Sequence, residues 1–382
     1  MTIVSRRGAT ALALAAALAP VLTGRAHAAG VSFTDAVGRN VVLRGPAERI
    51  VVNFYFEEFT AVGGAAAWDR VVGISRDLWA GWRAASFRRY QAAIPRLGAL
   101  PDVGNTADGN FSVEKVIALR PDLLLLADWA YPALKEQVAQ LEALGIAVAV
   151  IDYNAGIPER HIASCLALGL ALGDAARGAA LAQLYTGKLA ELQARAARGI
   201  AADGGRRPKV YVELGMGGAD AVGNTYWKVQ WGRLIELVGA ENIAAGRLPG
   251  AGDRGPLNPE YLIAADPDAI FIAGSSWANR PAAVLTGFDV DIALTRARLA
   301  PYTKRQGWDR LAAIRNGRLF AVEHGLCGAL WEYTAMQFMA KALWPAVFAD
   351  VDPEGELRAF HATYLPVAFE GCWMAQLAPN RA

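Results

Sequence analysis

The chain has 382 residues, enough for two domains of ordinary size, with 54% hydrophobic and 19% charged residues and a formal net charge of +2. That apolar content excludes intrinsic disorder, and 3 Cys among 39 Gly and 18 Pro exclude a disulfide scaffold and a collagen-like chain. The positive mean hydropathy raises a membrane protein, so the apolar residues have to be located.

The one long uncharged apolar run, residues 9–22, is interrupted by Pro20 and falls short of the about 20 residues a spanning helix needs. Arg6 and Arg7 precede it and Ala26-His27-Ala28 follows, so residues 1–28 read as a secretory signal peptide. Ser5-Arg6-Arg7 also resembles a twin-arginine signal, which leaves either export route open. Removing Arg6, Arg7 and Arg25 turns the net charge from +2 to −1. A soluble periplasmic chain is expected, and nothing in its charge suggests a nucleic-acid partner. Its cysteines, Cys165, Cys327 and Cys372, allow a Cys327–Cys372 disulfide or three buried thiols.

Strands are predicted at residues 50–54, 71–74, 123–126 and 147–151, with a helix over 133–144. Short, continuously apolar strands alternating with helices indicate an α/β fold with mostly parallel sheets covered on both faces. Residues 158–198 are helix-forming, broken only at Gly173-Asp174, where Asp174 suits a helix N-cap. The strand style returns at 209–213, 269–272 and 318–322. The chain thus divides into an N-terminal lobe (29–156), a connecting helical segment (157–203) and a C-terminal lobe (204–382). Residues 111–122 and 257–268 echo one another at an offset of 146. Each reads as an N-cap (Ser112 or Asn258), a short helix, a Pro-Asp turn and a buried strand.

These features carry a family resemblance. Phe33-Thr34-Asp35-Ala36-Val37-Gly38-Arg39 and Glu48-Arg49-Ile50-Val51-Val52 form the opening. Asp102-Val103-Gly104 and Arg120-Pro121-Asp122-Leu123 follow, then Leu237-Val238-Gly239-Ala240-Glu241-Asn242-Ile243-Ala244 and the segment 308–322. In order and spacing they resemble the substrate-binding proteins of ABC importers for iron–siderophores, haem and cobalamin, over roughly residues 31–365. The resemblance implies two Rossmann-like lobes joined by one long helix, with ligand in the cleft between them. It also implies that Glu114 and Glu260, one per lobe, dock on arginines of a permease served by its ATPase. The repeat picks out the same pair, and a first-turn acid is also favoured by the helix dipole alone.

In open α/β folds ligands lie beyond the carboxyl ends of the strands. The loops there carry Tyr55, Trp79, Trp82, Arg83, Trp129, Tyr131, Tyr226, Trp227, Trp277, Arg280 and Trp331. At least seven of the 11 Trp fall in or near such loops. Aromatic faces suit greasy or planar chelates, and arginine reads carboxylate, catecholate or hydroxamate oxygens. His324, just after a strand, is either a metal ligand or a structural histidine, whereas His161 and His361 read as structural. Gly215-Met216-Gly217-Gly218 has Asp220 where a dinucleotide loop needs its third glycine, and Gly-x-Ser-x-Gly is absent. The expectation is therefore a monomeric, non-enzymatic carrier of a small-molecule metal chelate. A ferric (Fe3+) siderophore leads; haem or a corrinoid, or a sensor without a transport role, are the alternatives. No resident cofactor is expected.

Overall fold

A computed structural model describes residues 30–377; the signal-peptide segment lies outside the described residues. A hairpin of Val31–Thr34 against Asn40–Leu43 opens the chain. It is pinned to the first sheet by Ala36 N–H donating to Val150 O and by Val150 N–H donating to the Asp35 carboxylate.

The first sheet runs Val71–Ile74, Ile50–Val52, Leu123–Ala127, Ala147–Ile151, all parallel. The second runs Met374–Gln376, Leu319–Glu323, Ala269–Gly274, Lys209–Leu214, Glu241–Asn242, with only Met374–Gln376 antiparallel. Every residue of Leu123–Ala127, Ala269–Gly274 and Leu319–Glu323 is buried. This is why these strands read as unbroken apolar runs rather than alternating ones.

Among the described residues no strand of one half pairs into the sheet of the other, and the chain passes between the sheets through helices. They are Pro158–Leu172 and Ala175–Ala202. Gly173 takes φ 79 at the turn, and the Asp174 side chain accepts from Arg177 N at 3.0 Å, capping the second helix. Leu181, Tyr185, Leu189, Leu192 and Ala196 recur at helical spacing on its buried face. The two helices meet backbone to backbone: a Cβ at Gly178 would sit 2.8 Å from Gly169 Cα.

The internal echo is a structural repeat. Helices Val113–Leu119 and Pro259–Ala265 are capped by the side chains of Ser112 and Asn258. Both end on a residue in the left-handed region, Arg120 (φ 47) and Asp266 (φ 44). In the Pro-Asp turns that follow, Asp122 accepts from Glu48 N and Arg49 N, and Asp268 accepts from Lys209 N. Each aspartate thus fixes the entry of a neighbouring strand, which explains why Pro-Asp recurs.

All three cysteines are free and buried, so the Cys327–Cys372 disulfide does not form. Cys327 Sγ lies 3.9 Å from His324 Nδ1, whereas Cys372 Sγ faces Met374 O in a separate apolar cluster.

Candidate ligand-binding site

The strand ends of the two sheets face one another across a cleft with a cavity of about 520 Å³. Phe54 follows the strand Ile50–Val52, Asp128 and Trp129 follow Leu123–Ala127, and Asn154 and Ala155 follow Ala147–Ile151. Ser275 and Trp277 follow Ala269–Gly274, and His324 follows Leu319–Glu323.

The N-terminal wall is aromatic. Phe54 meets Trp129 edge-on at 5.3 Å and Trp82 at 6.3 Å, and Trp82 lies over Trp129 at an interplanar angle of 22°. Trp82 is 40% exposed, an unusual state for an indole, and leaves apolar ring surface free in the cleft.

The opposite wall carries Trp277, Arg254 and His324. The Trp231 indole N–H donates to His324 Nδ1 at 3.0 Å, so Nδ1 holds the lone pair and Nε2 the proton. Burial, reinforced by Arg83 and Arg254, pushes the ring's pKa down to about 3. A neutral imidazole in this tautomer donates a hydrogen bond and has no free nitrogen for a metal. The structure thus places His324 in the cleft wall as a hydrogen-bonded neutral side chain. Among the described residues no group of three or more His, Cys, Asp and Glu is arranged to hold a metal ion.

Arg83 stands where the lobes meet, lining the cleft and two smaller voids beside it. Its side chain makes no hydrogen bond within the described protein. A Cβ at position 325 would lie 2.9 Å from its Cζ, so Gly325 leaves the room it occupies. Burial alone would lower its pKa, but the charges of Glu57, Glu323 and Glu58 outweigh that and raise it. Burial and Glu57 push the Glu58 carboxyl up to about 8. Glu323 is likewise raised by burial, although it accepts from Ser275 Oγ at 2.9 Å and Thr286 Oγ1 at 2.6 Å. Charge compensation thus surrounds Arg83 while its five donors stay uncommitted.

On the far side of the cleft, Tyr55 Oη donates to Asp128 Oδ1 at 3.0 Å. Burial, then the charge of Asp152, pushes the Asp128 carboxyl up to about 7. The lobes are tied across the cleft by Gln230 Nε2 donating to Asn154 Oδ1 at 2.9 Å. Arg89 bridges them to Asp289 and Glu370 at 2.7 Å each.

Of the residues expected at the ligand, Trp82, Arg83, Trp129, Trp277 and His324 line this cleft. The others do not. Trp79 is 1% exposed, stacked on Phe56 at 4.8 Å in the first lobe's core. Tyr55 is buried and turned toward Asp128, and Tyr226 is buried one layer behind His324, their ring centroids 6.0 Å apart. Tyr131 packs under Arg39 and Lys135, and Trp227 under Lys228. Trp331 is buried against Phe360. Arg280 is exposed outside the cleft lining. Thr106, Asn154, Gln230 and Arg254 line the cleft without having been singled out. Only Gln230 carries a backbone signal, φ 47 at a non-glycine residue, and that is visible only in the structure.

A two-lobed fold with one helical connection and a cleft at the strand ends defines a solute-binding protein. The family model described as "Periplasmic binding protein" matches residues 63–324, and the chain belongs to that family. No curated protein matches it. Among solved structures, a TroA-like periplasmic binding protein FepB from Veillonella parvula is 31% identical. The match covers 91% of this chain and 99% of that one, with a TM-score of 0.81. A molybdate periplasmic binding protein, MolA, from Haemophilus influenzae is 17% identical over 89% and 99% of the two chains, with a TM-score of 0.64. A periplasmic heme binding protein from Pseudomonas aeruginosa is 22% identical over 78% and 94%, with a TM-score of 0.54. At these identities the last two establish the fold alone.

Proposed function

We propose that the protein is the periplasmic solute-binding component of an ABC importer and captures an anionic metal chelate, a ferric siderophore, for delivery to the permease. The carrying observation is that the uncommitted Arg83 guanidinium and an exposed tryptophan wall line the same cleft. An aryl or hydroxamate chelate offers both an apolar face and anionic oxygens, the two things this cleft can pair. Haem is less well served. Its iron takes an axial histidine, tyrosine, cysteine or methionine. Here His324 has its free nitrogen occupied by Trp231, and the Tyr55 and Tyr226 side chains are buried.

Glu114 and Glu260 support a permease partner. Both are exposed, both lie in the first turn of equivalent helices, and they mark one position on each lobe. A two-fold permease requires such a pair. Replacing both by alanine is expected to cut iron–siderophore uptake at least ~10-fold, since each tenfold needs only about 1.4 kcal/mol of lost docking energy. Chelate affinity should stay within about twofold, because neither residue lines the cleft. Normal uptake by the double variant would reject the docking role and favour a sensor.

A further inference from the structure

We propose that Asp128 determines ligand specificity in this cleft as a protonated carboxyl group that donates a hydrogen bond to an acceptor oxygen of the bound chelate. The proposal rests on the anionic-chelate reading above.

The geometry comes first. Asp128 immediately follows the strand Leu123–Ala127, and its N–H donates to Ile151 O, which fixes the turn. Its side chain lines the cleft alongside Trp129 and Asn154. Oδ1 is taken by the Tyr55 hydroxyl at 3.0 Å, and the Trp129 backbone N–H also reaches the carboxyl, which still opens onto the cleft. Tyr55 reaches Asp128 from a left-handed backbone, φ 57 and ψ 43. For a bulky residue that conformation is strained, and such strain clusters at functional sites.

The charges around Asp128 decide which carboxyl takes a proton. Behind it lies buried Asp152, whose Oδ1 accepts from Asn154 N at 2.8 Å and Ala155 N at 2.9 Å. Asp152 Oδ2 faces Arg160 at 3.4 Å. Asp152 thus has both carboxylate oxygens engaged, by two N–H donors and a cation. Asp128 receives the Tyr55 hydroxyl and the Trp129 N–H and feels the charge of Arg160, but burial and the repulsion of Asp152 outweigh them, so its carboxyl is raised toward the protonated form. The same cleft is lined by Arg83, Arg254 and neutral His324, all donors. A ligand that satisfies them is anionic, and an ionised Asp128 would repel it. Protonation turns that repulsion into a hydrogen bond. The carboxyl is already pushed up to about 7 by burial and Asp152, and bound negative charge would raise it further.

Linkage then fixes the sign. Where the bound state holds more protons than the free state, affinity falls as pH rises, by about tenfold per unit at most. The probe is the anionic ferric complex of 2,3-dihydroxybenzoate, titrated against wild type and Asp128→Asn from pH 6 to 8.5 by tryptophan fluorescence. Asparagine keeps the donor and cannot ionise. The complex changes its own iron coordination with pH, so the ratio of the two affinities at each pH is the readout. The ratio should be near one at pH 6, with wild type at least ~10-fold weaker at pH 8.5. Calorimetry at pH 8 in two buffers of different ionisation enthalpy should show proton uptake by wild type and none by Asp128→Asn. A ratio that does not change with pH, or a wild-type advantage that grows with pH, would overturn the proposal. Failure of both proteins to bind the probe at any pH would reject the chelate reading and this proposal with it.

Discussion

Replacing Arg83 by methionine is expected to weaken binding of an anionic ferric chelate by at least ~100-fold. Truncating one partner of a desolvated charge pair costs about 2–5 kcal/mol, and ~2.7 kcal/mol is a hundredfold. The size of the effect follows from the setting. Arg83 enters no hydrogen bond with the protein that the ligand would have to displace, and the charges of Glu57 and Glu323 hold it in charged form. Methionine also leaves those carboxylates without their cation, so the variant should unfold at lower denaturant as well. Arg83→Lys separates the two effects. It keeps the charge near the carboxylates but loses the planar fork, and should recover most of the stability while binding about tenfold more weakly than wild type. Isothermal titration together with urea unfolding measures both quantities. Unchanged affinity in Arg83→Met would remove Arg83 from the ligand site.

The largest stability effect is expected at the helix pair between the lobes. A Cβ at Gly178 would lie 2.6 Å from Cys165 O and 2.8 Å from Gly169 Cα. Both obstacles are backbone, so no rotamer change relieves them, and the two helices must separate. Alanine gains about 1 kcal/mol of helix propensity over glycine. Overpacking against immobile atoms costs about 1–3 kcal/mol and occasionally more. Gly178→Ala should therefore destabilise by up to about 2 kcal/mol, and Gly178→Val by more. Gly187, on the same helix, is exposed with nothing within 4 Å of an added Cβ. Gly187→Ala should stabilise by up to about 1 kcal/mol. Urea unfolding of the two variants with opposite signs verifies the close approach; two shifts of the same sign would contradict it.

The contrast between these glycines shows how far the sequence could be read. The strands were legible because burial on both faces makes them continuous apolar runs, and the Gly173-Asp174 break because its chemistry is local. The repeat was legible because the Asp122 and Asp268 carboxylates do the same work in both lobes. Side-chain direction at the strand ends was not. Trp79 and Trp82 lie three residues apart, yet one is sealed in the first lobe's core and the other opens onto the cleft. That difference depends on the turn at Gly81, which composition does not encode. Tyr226 and Trp331 were misplaced for a related reason: large aromatics dominate cores as readily as they dominate sites. Thr106, Asn154, Gln230 and Arg254 sit on loops whose approach depends on how the two lobes pack. Asp128 stood in a strand-end loop, but its significance needed Tyr55 and Asp152 to be seen behind it.

The central claim is that the cleft carries a ferric chelate. Its most direct test is the metal content and absorption spectrum of the protein purified, with its ligand, from its own periplasm under iron limitation. Iron approaching one per protein, with a broad visible ligand-to-metal charge-transfer band that disappears from the Arg83→Met protein, is the expected result. A Soret band, a corrinoid spectrum, or a small molecule recovered without bound metal would contradict it.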